Sequence, residues 1–482
     1  MTAPPLPPAE SPSDERPRLI WRWALVLGVA VAIMLPGPPA GILPQHWRLL
    51  AIFLACIVGS IVRPAPMGAV ILLGVAAVAI TGTMSFADAL KGYADPIVWM
   101  VLCAFMIARA VTTTGLGRRI AFQFIRLLGR RSLGVGYALV ATDTALASVI
   151  PSNSARAGGI LFPIARSVAE AFGSTPGPTR HRLGSFLMAA VYQADVVACA
   201  IFLTGQASNP IIAKFALDVT GIELTYSRWL IGAIVPGIAA LLVVVYLIYR
   251  ITRPEVVETP EAVAMARDAL HRMGPMSLQE RITLGVFAMI AILWMTGSWH
   301  QISAPVVALA GICLLILTQV LTWDEILGER AAWDVFVWYG GLFGMAGALG
   351  SSGVTKAFAD WSATLTVGWS WTIALPILFL IYFYSHYAFA SITAHVTAMF
   401  IPFLTVMIAA GAPPVVAVLS LAYGSNLTAS LTHYGTTTAP IYFGARYNTQ
   451  REWWTIGFAA SLVTCGVWAV LGLGWWKLLG WW

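Results

Sequence analysis

Two polar clusters interrupt otherwise apolar stretches in the same pattern, Ser152-Asn153-Ser154-Ala155-Arg156 and Ser391-Ile392-Thr393-Ala394-His395. Hydroxyls and free backbone N–H groups at the start of a helix suit an anion, because a helix N-terminus carries roughly +0.5 of a charge and several unpaired donors. Arg156 and His395 both lie four residues after the first Ser of their cluster, where they could supply positive charge to a dianionic ligand. An arginine at membrane depth is costly and marks function by default. The competing reading is structural: Ser and Asn are ordinary helix caps, and Asp143 or Asp195 could be ion-pair partners of Arg156.

A second pair of interruptions has the same logic. Leu203-Thr204-Gly205-Gln206-Ala207-Ser208-Asn209-Pro210-Ile211 and Leu431-Thr432-His433-Tyr434-Gly435-Thr436-Thr437-Thr438-Ala439-Pro440-Ile441 both open with Leu-Thr and close with Pro-Ile. Unwound backbone and hydroxyls inside a membrane are expensive unless they bind something. The candidate ligand-binding set is therefore Ser152, Asn153, Ser154, Arg156, Gly205, Gln206, Ser208, Asn209, Ser391, Thr393, His395, His433, Gly435, Thr436 and Thr437. No catalytic residue, metal ligand or cofactor is expected: HExxH, a paired catalytic Asp and a nucleophile elbow are all missing from the sequence. An intramembrane enzyme built on His433 and Thr436 is the remote alternative.

The elements that position these clusters follow from composition. Of 482 residues 59% are hydrophobic and only 10% charged, with mean hydropathy +0.80. A soluble surface needs roughly a quarter of its residues charged, so the outside of this chain faces lipid. The expected fold is an all-α polytopic membrane protein. Spans are expected near residues 20–36, 47–62, 67–82, 95–116, 185–206, 229–250, 282–298, 303–321, 334–350, 414–432 and 454–474. Two longer apolar segments, 133–171 and 372–410, carry the tips at their centres and read as re-entrant hairpins, while 185–217 and 414–446 read as broken helices. The net charge of +7 is spread over loops rather than gathered on one face, which excludes a nucleic-acid partner. The five cysteines, scattered in apolar runs, read as small hydrophobes.

Asp95-Pro-Ile-Val-Trp99 recurs as Asp334-Val-Phe-Val-Trp338, Ser152 as Ser391, and Pro163 as Pro402; each pair lies 239 positions apart. Five crossings separate the two copies, so the repeats are inverted, a hallmark of secondary transporters. The division expected is a cytoplasmic tail (1–19), a first inverted repeat (20–251), a cytoplasmic linker (252–281) and a second inverted repeat (282–482). Basic residues such as Arg118, Arg119, Arg130, Arg131, Arg250, Arg253, Arg446 and Arg451 fall on the side of the N-terminus. That places the N-terminus in the cytoplasm and the C-terminus outside a bacterial inner membrane. Gly340, Gly341, Gly344 and Gly347 read as close helix packing, and Trp475, Trp476, Trp481 and Trp482 as anchors at the lipid interface.

The tips and the strings Pro151–Pro163 and Ser425–Tyr447 resemble the divalent anion:sodium symporter family, in particular its exchanger branch of citrate/succinate antiporters and plastid 2-oxoglutarate/malate translocators. The similarity runs along nearly the whole chain from about residue 20. The family's paired Ser-Asn-Thr signatures stand here as Ser152-Asn153-Ser154 and Ser391-Ile392-Thr393. The resemblance implies a homodimer with an elevator motion, carrying succinate, malate, fumarate, 2-oxoglutarate or citrate between the tips and the breaks. It also implies two sodium sites in coupled members, and Ile392 in place of the second Asn argues against the second of them here. Arg156 and His395 would then act as fixed cations in place of sodium, leaving the empty carrier charged and exchange obligatory. A sodium- or proton-coupled symporter is the alternative, with Asp143 and Asp195 on the proton route.

Overall fold

The protein is described by a computed structural model that covers residues 12–365, 368 and 370–482. Every regular element among those residues is helical, and the one β-type pairing is an isolated antiparallel bridge between Arg131 and Glu258. In lipid a chain must close its backbone hydrogen bonds within each segment, and helices do this. Nine helices among the described residues are long and apolar enough to cross a membrane, with shorter apolar helices at Leu19–Met34, Met67–Ile80, Ser132–Ala147 and Ala304–Leu317. Each of the expected spans falls on a helix, for example 229–250 on Tyr226–Thr252 and 334–350 on Arg330–Ser351. Part of the expected tail, residues 1–11, lies outside the described residues; from Pro12 to Met34 the chain is helical.

The chain forms two compact units that cut across the expected repeats: one of Met1–Asp95 with Asp334–Ala357, the other of Pro96–Trp333 with Phe358–Trp482. In the first unit small residues let backbones meet. A Cβ on Gly92 would lie 2.0 Å from the Gly340 carbonyl oxygen, and one on Gly344 2.9 Å from that of Ala89. Gly347 departs from the packing expectation, since a Cβ there would meet nothing within 4 Å.

The second unit is organised around Gly184–Ile201, a helix buried along its whole length. Its small and apolar residues on every face let neighbours pack all round it, as for a helix at the centre of a bundle. Tyr226–Thr252 and Pro414–Leu427 are among those neighbours.

The segment 252–281 is more than a tether. It forms the helix Pro260–Met273, started by Pro260 and carrying Glu261 in its first turn. The buried Arg119 holds its far end through Glu280 (2.7 and 3.0 Å) and the Gly274 carbonyl (2.9 Å). At its near end the Thr259 N–H donates to the Arg130 carbonyl at 2.8 Å. The sequence shows the charges but not these long-range partners. Trp476 also differs from a lipid-interface anchor: it is buried, and its indole donates to the Gly232 carbonyl at 2.8 Å.

Candidate functional site

All the candidate residues lie in the second unit. The first tip follows the helix Ser132–Ala147 and opens a widened π-helical stretch, Ser154–Leu161, that continues as Phe162–Ala171. The second follows Trp371–Tyr384 and a 3-10 turn, Ser385–Ala388, and opens Ile392–Ala409. The repeat spacing is reproduced bond for bond. The Ala155 N–H donates to Ser152 Oγ (3.2 Å) and the Arg156 N–H to the Ser152 carbonyl (3.0 Å). The Ala394 N–H donates to Ser391 Oγ (3.4 Å) and the His395 N–H to the Ser391 carbonyl (3.1 Å). Ser152 and Ser391 are thus helix caps at equivalent positions. Thr393 is buried beside the second cap, and its carbonyl accepts from Thr397 Oγ at 2.9 Å.

The first tip is joined to the second break. Asn153 Nδ2 donates to Thr436 Oγ at 2.9 Å, and the Ser154 and Thr437 hydroxyls lie 2.5 Å apart. Thr438, outside the sequence-derived set, stands 3.5 Å from Asn153 Nδ2.

Arg156 ties the same tip to the first break and to two carboxylates. Its side chain is 0% exposed and Asp143 and Asp195 are 1% and 0% exposed. Nε donates to Asp143 Oδ1 and Nη2 to Asp195 Oδ1, both at 3.0 Å. Nη1 donates to the carbonyls of Ile150 (2.6 Å) and Gly205 (2.8 Å), and Nη2 also reaches Cys199 Sγ at 3.4 Å. A guanidinium has five N–H groups, and all five are spent on this chain. In this arrangement all the N–H groups of the guanidinium expected to face the ligand are engaged within the chain. Cys199, read as a small hydrophobe, belongs to this polar cluster.

Within the first break, Gln206 Oε1 accepts from the Ser208 N–H at 2.7 Å and from the Ser208 hydroxyl. Asn209 Nδ2 donates to the carbonyls of Cys199 (2.8 Å) and Phe202 (3.0 Å), capping the end of the buried helix. Asn426 Nδ2 reaches Asn209 Oδ1 at 2.8 Å, joining the first break to the helix that leads to the second. Asn426 lies outside the sequence-derived set. Burial of an amide at that depth was the missed signal.

The second tip is served by two histidines. His395 Nε2 lies 3.0 Å from the Tyr382 carbonyl and 2.9 Å from Ser385 Oγ. His386, missed from the sequence, has Nε2 2.9 Å from the Gly435 carbonyl, and its ring meets that of His395 edge-on at 5.0 Å. Gly205 and Gly435 both stand five residues before the Pro that closes their break, so their carbonyls are equivalent. One is held by Arg156 and the other by His386. His433 is held apart from this cluster, its Nδ1 accepting from the Trp454 indole at 3.0 Å and its ring lying on Phe443 at 4.6 Å. Among the described residues no group of three or more His, Cys, Asp or Glu side chains is placed to hold a metal ion.

The sequence that builds these tips and breaks matches the pattern of the sodium:sulfate symporter transmembrane region over residues 17–482. The chain belongs to this family, the divalent anion:sodium symporters. Its relatives in the symporter family include YflS of Bacillus subtilis (strain 168), named for malate transport, 44% identical over 95% of this chain and 96% of that protein. The chloroplastic dicarboxylate transporter 1 of Arabidopsis thaliana is 42% identical over 99% of this chain and 86% of its own length. Inner membrane protein YbhI of Escherichia coli (strain K12) is 32% identical over 96% and 98%. The crystal structure of the Alcanivorax borkumensis YdaH transporter shares the fold, with TM-score 0.54 and 13% identity over 96% of this chain and 98% of that one. This symporter-family member is a multi-pass membrane transport protein rather than an enzyme.

Proposed function

We propose that this symporter-family chain exchanges small dicarboxylate anions across a bacterial inner membrane without sodium. One observation carries the sodium-independent part: Arg156 Nη1 gathers the Ile150 carbonyl of the first tip and the Gly205 carbonyl of the first break. Drawing carbonyls from two loops onto one positive centre is the work of a bound cation. A cation covalently attached to the chain does not dissociate, so no ion gradient acts through it. With no coupling ion at that position, the counter-substrate supplies the driving force.

The charge argument for exchange is revised accordingly. Asp143 and Asp195 already compensate the guanidinium, so a charged empty carrier is not the reason for exchange. The field met by a dianion comes instead from the two helix starts at Ser152 and Ser391. The substrate class, with succinate, malate, fumarate, 2-oxoglutarate and citrate as candidates, rests on the names of the relatives. Substrate would sit among Ser152, Asn153, Ser154, Ser391, Thr393 and the break residues Thr436 and Thr437. The segments 133–171 and 372–410 act as re-entrant hairpins of two inverted repeats, 20–251 and 282–482. A homodimer with an elevator motion, the N-terminus cytoplasmic and the C-terminus outside, completes the reading.

The test is succinate counterflow in proteoliposomes with choline in place of sodium. Labelled succinate should enter loaded vesicles at the same rate with or without sodium, and should not accumulate in vesicles lacking internal substrate. Uptake that vanishes in choline would sink the proposal.

A further inference from the structure

The Arg156 cluster holds two carboxylates against one guanidinium, at 0 to 1% exposure. Nε and Nη2, which hold Asp143 and Asp195, are neighbouring donors of one planar fork. Two carboxylates drawn to adjacent donors of one fork, each at 3.0 Å, are brought side by side. Oδ2 of each makes no hydrogen bond among the described residues, and the hydroxyl of Thr438 stands beside the Asp195 carboxyl. Other titratable groups facing the pair are Cys199 and Tyr192 on the buried helix and Tyr442 on the helix Ala439–Gly444. None of them adds a second cation. With both carboxylates ionised the cluster carries a net negative charge at membrane depth, and like charges in contact do not both ionise.

We infer that Asp143 and Asp195 share one proton on the edge of Arg156, making this cluster a proton-binding site behind the first tip. The proton leaves the cluster neutral and lets the fork keep its grip on the Ile150 and Gly205 carbonyls. Losing it sets two ionised carboxylates against each other and loosens the joint between tip and break. A native state that holds a proton the unfolded chain gives up loses stability as pH rises. The inference concerns protonation alone and stands whether or not transport is sodium-independent exchange.

Infrared spectroscopy of the purified full chain tests it directly. At neutral pH the wild-type spectrum should contain the C=O stretch of a protonated carboxyl, shifted by carbon-13 aspartate labelling. Because one proton serves two residues, Asp143→Asn and Asp195→Asn should each abolish that band, the remaining carboxylate pairing ionised with Arg156. Melting temperature should fall for wild type as pH rises above the ordinary aspartate range, and lose that fall in both variants. A wild-type spectrum without an aspartate-sensitive band overturns the inference, as does a band that survives either substitution. Should neither variant fold, the wild-type titration decides. Loss of the labelled band together with the alkaline fall in melting temperature supports the site, and a band and melting temperature both unchanged by pH overturn it.

Discussion

The two tips share one backbone solution and differ in what stands behind it. At the first, a guanidinium with every donor engaged binds Asp143, Asp195 and the Gly205 carbonyl. At the second, two imidazoles divide the labour: His395 is bound to its own turn at Tyr382 and Ser385, and His386 holds the Gly435 carbonyl. A ring nitrogen facing a carbonyl must carry the hydrogen, so each histidine donates through Nε2. Among the described residues neither Nδ1 has a partner. The first joint is therefore ionic and many-stranded. The second rests on neutral hydrogen bonds, which a conformational change can break at lower cost.

The strongest way to break this comparison is Arg156→Ala. Removing the cation strands buried acidic groups, at about 3–5 kcal/mol, so melting temperature and counterflow should both collapse. Retained stability would show that the ionic joint is not what holds the first tip. His386→Phe keeps the bulk and leaves the Gly435 carbonyl unpaired, at about 1–3 kcal/mol. Its melting temperature should drop less than that of Arg156→Ala, and a drop as large would erase the asymmetry. A double-mutant cycle of Asn153→Ala with Thr436→Val should give a coupling of about 0.5–1.5 kcal/mol in stability and a raised KM for succinate counterflow. Zero coupling would mean that the first tip and second break are not joined through this bond. The smallest effect belongs to Arg166→Ala, which removes an exposed pair with Glu170 (side chains 54% and 44% exposed). It should change stability by less than about 0.5 kcal/mol and leave counterflow unaltered.

What the sequence made legible was local. Caps are read by their own next three residues, so Ser152 and Ser391 were found by type and spacing, and the 239-residue register reappears in their hydrogen bonds. Spans were legible because lipid selects for length and apolarity. What stayed hidden depends on which helices meet. Arg156 had two candidate acids in the sequence, and only packing shows that it takes both. His386, nine residues before His395, was overlooked because no motif marks it, although an intramembrane histidine was itself a signal. The helix Pro260–Met273 hid in a polar stretch whose partners, Arg119 and Arg130, lie over a hundred residues away.

The sharing of one guanidinium by two acids has a consequence for how such a chain can change over generations. Deleting the arginine first passes through a state with stranded acids, whereas replacing one aspartate first leaves a balanced pair. Descent through this neighbourhood is therefore ordered: an acid is given up before the base. The three positions should therefore change as a linked set, and a relative lacking Arg156 should also lack one of the two aspartates.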